Sequence, residues 1–108
     1  LNKLVPYIEE NMNQVRIKLS EVPNIRCMKN EGTYLMWIDC RELGSNEDKI
    51  NQSLIESGVA LQMGSTYGPA GRGFVRMNVA APRSVVAEGA DRVSRGFRNL
   101  LSTMSTSR

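Results

Sequence analysis

The 108-residue sequence contains no histidine. That absence removes Ser-His-Asp and Cys-His nucleophilic catalysis and every zinc site built on imidazole. Cysteine is nearly as scarce. Cys27 and Cys40 are the only two, and their thirteen-residue separation fits neither a redox CxxC pair nor a four-ligand metal site. Both read as reduced thiols that pack as small hydrophobes. Aromatic residues make up 6% of the chain, and no apolar run approaches the ~18 residues needed to cross a bilayer. A basic-then-apolar leader is missing too, so the chain reads as cytoplasmic and without a membrane partner. It opens on Leu1 rather than methionine, which suggests a piece of a longer protein.

What is present is the composition of one globular domain: 41% hydrophobic and 23% charged residues with a net charge of +3. A chain of this length buries roughly two-thirds of its unfolded surface, enough to fold without a metal or disulfides. The charge is uneven. Residues 1–71 carry seven basic and nine acidic side chains, whereas residues 72–108 carry seven arginines against Glu88 and Asp91. Arginine's planar fork suits carboxylate or phosphate, so both an anionic ligand and a nucleic-acid backbone enter consideration. The plainer reading is that most of these arginines are solvated charges on a helix.

Leu4, Ile8, Met12, Val15 and Leu19 form one apolar stripe, predicting a helix from about Val5 to Leu19 that Pro23 closes. Residues 24–40 read as two strands around the turn Asn30-Glu31-Gly32-Thr33. The second, Tyr34–Asp39, is apolar on both faces and belongs inside a sheet, with Trp37 in the core. Ser45-Asn46-Glu47-Asp48 starts a second helix with an acidic first turn, whose buried face is Ile50, Leu54 and Ile55 and which Gly58 stops. A short strand, Val59–Met63, follows. The glycine-rich stretch Gly64–Gly73 is either a bare turn or a place where backbone meets a ligand. Next comes an alternating strand with Phe74, Arg76 and Asn78 on one face and Val75, Met77 and Val79 on the other. Pro82 ends it. Ser84 caps a last helix with the stripe Val86, Ala90, Val93, Phe97 and Leu100, and Gly89 and Gly96 within it imply close packing. Residues 102–108 read as a polar tail. The order α-β-β-α-β-β-α gives an α+β fold, a small antiparallel or mixed sheet covered by helices.

Arg76 is the most informative position. A guanidinium in mid-strand must meet an anion, because burying it without a partner costs several kcal/mol. That anion is either a protein carboxylate, with Asp39 and Glu31 as the acids outside the helices, or a ligand. Asn78 either braces the guanidinium or bonds local backbone. Tyr67 and Tyr34 are placed to line a pocket. The glycine loop is no nucleotide cradle, since it lacks both GxxxxGK[ST] and a GxGxxG turn into a helix.

The string Glu31-Gly32-Thr33-Tyr34-Leu35-Met36-Trp37-Ile38-Asp39-Cys40-Arg41, then Gly58-Val59-Ala60-Leu61, Gly64-Ser65-Thr66-Tyr67-Gly68, Gly73-Phe74-Val75-Arg76-Met77-Asn78 and Pro82-Arg83, resembles a known domain. It is similar to the C-terminal small domain of fold-type I pyridoxal-phosphate enzymes, and more narrowly to the cystathionine β-lyase-like (carbon-sulfur lyase) branch of the class I/II aminotransferases. The resemblance covers roughly residues 3–101, with 102–108 left as the tail. It implies that Arg76 grips the α-carboxylate of an amino-acid substrate while this domain closes over the site. Asn78, Tyr67 and Tyr34 are expected as secondary substrate contacts. Where Tyr67 stands, the family commonly has phenylalanine.

The resemblance also implies a missing N-terminal large domain carrying the cofactor lysine, and a full-length homodimer. Lys3, Lys18, Lys29 and Lys49 lack the family's cofactor-lysine context. Pyridoxal phosphate is therefore expected in the full-length enzyme and not in this fragment, which alone is expected to be inactive. Lyase and aminotransferase are not separated by these residues. One rival is a free-standing amino-acid-binding module that uses Arg76 without catalysis. A nucleic-acid-binding αβ domain is the other, disfavoured because the strands lack the paired surface aromatics of an RNA-recognition sheet.

Overall fold

The computed structural model describes residues 4–29, 35–43 and 46–106. Helix α1 spans Leu4–Leu19, and Ile8, Met12, Val15 and Leu19 of its apolar stripe are buried. Asn24, with φ of 69°, turns the chain into strand β1, Arg26–Lys29. Strand β2 is Leu35–Asp39, helix α2 Glu47–Glu56, strand β3 Gln62–Met63, strand β4 Phe74–Asn78 and helix α3 Arg83–Thr106. The sheet order is β1-β2-β4-β3 and every pairing is antiparallel, which resolves the choice between antiparallel and mixed.

The core lies on one face of this sheet. Met36, Ile38, Val75 and Met77 point into it and join the helical stripes, including Val86, Ala90, Val93, Phe97 and Leu100 of α3. Helix α3 packs against both α1 and α2. Its two glycines permit these approaches. A Cβ at Gly96 would lie 2.9 Å from Ser57 Oγ and 3.1 Å from the Ser53 carbonyl, and one at Gly89 would lie 3.2 Å from Met77 Cε.

Several expectations need correction. Ile55 is 56% exposed, because five residues after Ile50 a helix has turned about 140° off the buried face. Only Gln62 and Met63 of the run 59–63 pair in the sheet. The Val59 amide is spent on the Leu54 carbonyl (3.0 Å), closing α2 as Gly58 adopts φ of 95°. Helix α3 begins at Arg83, with the Pro82 carbonyl accepting the Val85 and Val86 amides, so Ser84 lies inside the first turn instead of capping it. Residues 102–106, expected as tail, continue that helix, where Thr103 Oγ1 donates to the Asn99 carbonyl. Trp37 is not in the core. β2 is central, but its side chains alternate, and only the Met36 and Ile38 side faces the helices.

Candidate functional site

Arg76 stands on the sheet's second face. Met28, Trp37, Arg76 and Gln62 stand in register across β1, β2, β4 and β3, so one row of side chains runs from apolar to polar. Phe74 lies one row away beside Asp39, and Asn78 pairs with Leu35 on the other side. Trp37 and Phe74 meet edge to face, their centroids 6.3 Å apart at 81°.

Arg76 is half-buried. It borders a cleft of about 410 Å³ whose walls include Leu35, Leu61, Gln62, Asn78 and Val85. Its Nη2 donates to Gln62 Oε1. Of the two acids considered as partners, Asp39 is committed elsewhere: it accepts from the Arg41 amide (3.0 Å), Nε (3.0 Å) and Nη2 (2.8 Å). These bonds from Arg41 hold the Asp39 carboxyl below its ordinary pKa. The Arg41 guanidinium in turn sits 4.8 Å from the centre of the Phe74 ring. Glu31 and Tyr34 lie outside the described residues.

Asn78 lines the cleft, and its Oδ1 accepts the Ala80 amide at 2.8 Å, so the local backbone bond is the one formed. Tyr67 closes the short 3-10 turn Gly64–Tyr67, and its side chain lies outside the described part. The glycine-rich stretch folds onto itself. A Cβ on either Gly64 or Gly71 would overlap the other's carbonyl oxygen, so both glycines serve backbone against backbone. Ala70 and Gly71 then wall a groove of about 360 Å³ with Met28, Trp37 and Phe74.

Two residues of consequence were not singled out in the sequence. Gln62 is the one polar residue in the run Val59–Met63, a signal that a strand face turns toward something polar. Asn11 falls between Ile8 and Met12 on the stripe of α1 and is fully buried. Its Nδ2 donates to the Val79 and Ala81 carbonyls, both at 3.0 Å, immediately after the strand that carries Arg76. Tyr7, one turn earlier, accepts the Arg83 amide at its hydroxyl (2.6 Å), and the Arg83 guanidinium lies 4.9 Å from its ring centre. Helix α1 thus clamps the connection from β4 to α3.

Three arginines of α3 are engaged within the helix. Arg92 pairs with Glu88, and Arg95 with Asp91 at 3.1 Å, as helical neighbours one turn apart. Arg98 Nε reaches the Ser94 carbonyl at 3.4 Å. Cys27 and Cys40 are free thiols, and burial pushes Cys40 up to about 12. Among the described residues no group of His, Cys, Asp and Glu could hold a metal, and no helix is long and apolar enough to cross a membrane.

The comparisons with known proteins fit this architecture. The model of the family "Aminotransferase class I and II" matches residues 1–93. The chain belongs to the class I and II aminotransferase family. It is 36% identical over 95 residues to cystathionine β-lyase PatB of Bacillus subtilis, covering 86% of this chain and 24% of that protein. Protein MalY of Escherichia coli is 36% identical over 91 residues, covering 82% and 23%. Among solved structures, cystalysin of Treponema denticola, which contains pyridoxal 5'-phosphate, superposes with a TM-score of 0.82 at 31% identity over 92% of this chain and 26% of that one. The chain spans about a quarter of the length of these relatives.

Pyridoxal phosphate needs a lysine amine for its aldehyde and a cradle for its phosphate. The described residues do not fit it. No lysine borders the Arg76 cleft, and Lys18 is held by Glu21 (3.2 Å) and Asp91 (3.3 Å), bonds that raise its pKa. What the cleft offers is a cationic fork, two amides and apolar walls.

Proposed function

We propose that this chain is the small domain, residues 1–101, of a pyridoxal-phosphate-dependent carbon-sulfur β-lyase of the cystathionine β-lyase type, and that Arg76 binds the substrate α-carboxylate. The observation that carries the reading is the place of Arg76: mid-strand, half-buried, oriented by a neutral amide, at the edge of a cleft with apolar walls. A guanidinium so placed holds a carboxylate through two parallel N–H···O bonds, fixing the orientation of the substrate's Cα substituents as well as its position. Asn78 braces the strand end through Ala80, and the α1 clamp on residues 79–83 fixes the exit of the same strand. Cofactor and lysine belong to the part of the protein outside this chain, and the full-length enzyme is a cytoplasmic homodimer.

The lyase branch is favoured by the relative named cystathionine β-lyase, at 36% identity. The aminotransferase reading rests on the family match. Supplying the full-length protein with L-cystathionine separates them. A lyase breaks the Cβ–S bond and, with one water consumed, releases pyruvate, ammonia and the thiol homocysteine in equal amounts without any acceptor. Amino-acid consumption that requires a 2-oxo acid and releases no thiol identifies the aminotransferase instead.

A further inference from the structure

We infer that Gln62 is a positioning residue for substrate-carboxylate binding, orienting the Arg76 fork without cancelling its charge. The inference rests on the carboxylate role of Arg76 and adds to it a second residue, from a different strand. Two observations support it. Gln62 is the backbone register partner of Arg76 across the β3–β4 pair, so its location is set by the ladder and not only by a flexible side chain. Its Oε1 also accepts from Arg76 Nη2, and both residues border the same cleft.

The chemistry of the partner is the point. A guanidinium carries five N–H donors, and one amide oxygen occupies a single one of them. Holding a long side chain in one rotamer before the ligand arrives removes part of the ordering cost of binding. A glutamate at the same position would orient the fork equally well, yet its negative charge would stay against the guanidinium and compete with the incoming carboxylate. Glutamine thus orients the fork without adding a negative charge beside it. Strand β3 is only two residues long and runs straight into the Gly64 turn, whose backbone contact with Gly71 locks the strand's end. The amide is therefore presented from a fixed support.

The test compares Gln62→Glu, Gln62→Ala and Arg76→Ala in the full-length holoenzyme with L-cystathionine as the probe. Gln62→Glu is expected to raise KM about tenfold or more while kcat stays within about threefold, the pattern of lost uniform binding. Gln62→Ala, which removes the orientation but adds no competing charge, should raise KM by a smaller factor. A merely structural glutamine would lower the thermal midpoint without splitting KM from kcat. If both Gln62 variants leave KM within twofold of wild type while Arg76→Ala raises it, the positioning role is overturned and the carboxylate role of Arg76 stands. If Arg76→Ala also leaves KM unchanged, the carboxylate reading fails and the Gln62 inference falls with it.

Discussion

Replacing Asn11 by leucine keeps the side chain's size and removes its hydrogen bonds. Asn11 is fully buried and gives its two Nδ2 protons to the Val79 and Ala81 carbonyls at 3.0 Å each. Each stranded acceptor costs about 1–3 kcal/mol, so the pair sets a loss of about 2–6 kcal/mol. Against this, among the described residues no donor meets Asn11 Oδ1, and removing that buried oxygen returns about 1 kcal/mol or more. The expected net loss is about 1–5 kcal/mol, read as a lower urea midpoint by circular dichroism at unchanged slope. Asn11→Asp sharpens the test. An ionised carboxylate facing two carbonyls is repelled, so burial and repulsion raise its folded pKa above the unfolded value of about 3.9. The unfolded chain then releases its proton more readily, and stability falls as pH rises from about 4 upward. Asn11→Asp should therefore be most stable at the acid end and worse than Asn11→Leu at pH 7. A leucine variant within about 0.5 kcal/mol of wild type, or an aspartate variant with no such pH slope, would refute the clamp.

Gly96→Ala should destabilise by about 1–3 kcal/mol despite its gain in helix propensity, because the new methyl meets Ser57 Oγ and the Ser53 carbonyl. Gly89→Ala meets only the movable Met77 Cε and should be neutral or stabilising by up to about 1 kcal/mol, so thermal melts of the pair should move in opposite directions. Asp39→Asn removes a carboxylate whose folded pKa lies below the ordinary 3.8. The stability it contributes is complete above that ordinary value and disappears as pH falls through the depressed one, so acid titration of the thermal midpoint should bring wild type and variant together only at the lowest pH. Cys40, raised to about 12 by burial, should resist alkylation at pH 8 until the protein is unfolded, and Cys27, raised less and half-buried, should react first; mass spectrometry of the labelled peptides reads the order.

Much of this fold was legible in the sequence because periodicity is a direct record of burial. The stripes of α1 and α3 and the alternation of Phe74–Asn78 predicted faces that the structure buries or opens as expected. The misplaced features are those decided by tertiary context. Trp37 looked like core because apolar residues flank it, yet a central strand has two faces and helices cover only the one bearing Met36 and Ile38. The strand expected over 59–63 shrank to Gln62–Met63 because closing α2 claimed the Val59 amide. At the site, Arg76 stood out in the sequence since a mid-strand guanidinium demands a partner. One partner of that guanidinium, Gln62, depended on a pairing register that no local pattern encodes. Asn11 was the opposite case, with a signal present on the wheel of α1 that was outweighed by the apolar residues around it on the stripe.

The most direct test of the carboxylate role is the kinetics of Arg76→Ala in the full-length holoenzyme, measured with an amino-acid substrate and again with its α-carboxamide. Losing a charged bidentate contact should lower kcat/KM for the amino acid by about 10²-fold or more, with turnover of the carboxamide nearly unchanged and the cofactor's visible absorbance retained. Equal losses for both substrates, or no loss for either, would contradict the assignment of Arg76 to the substrate carboxylate.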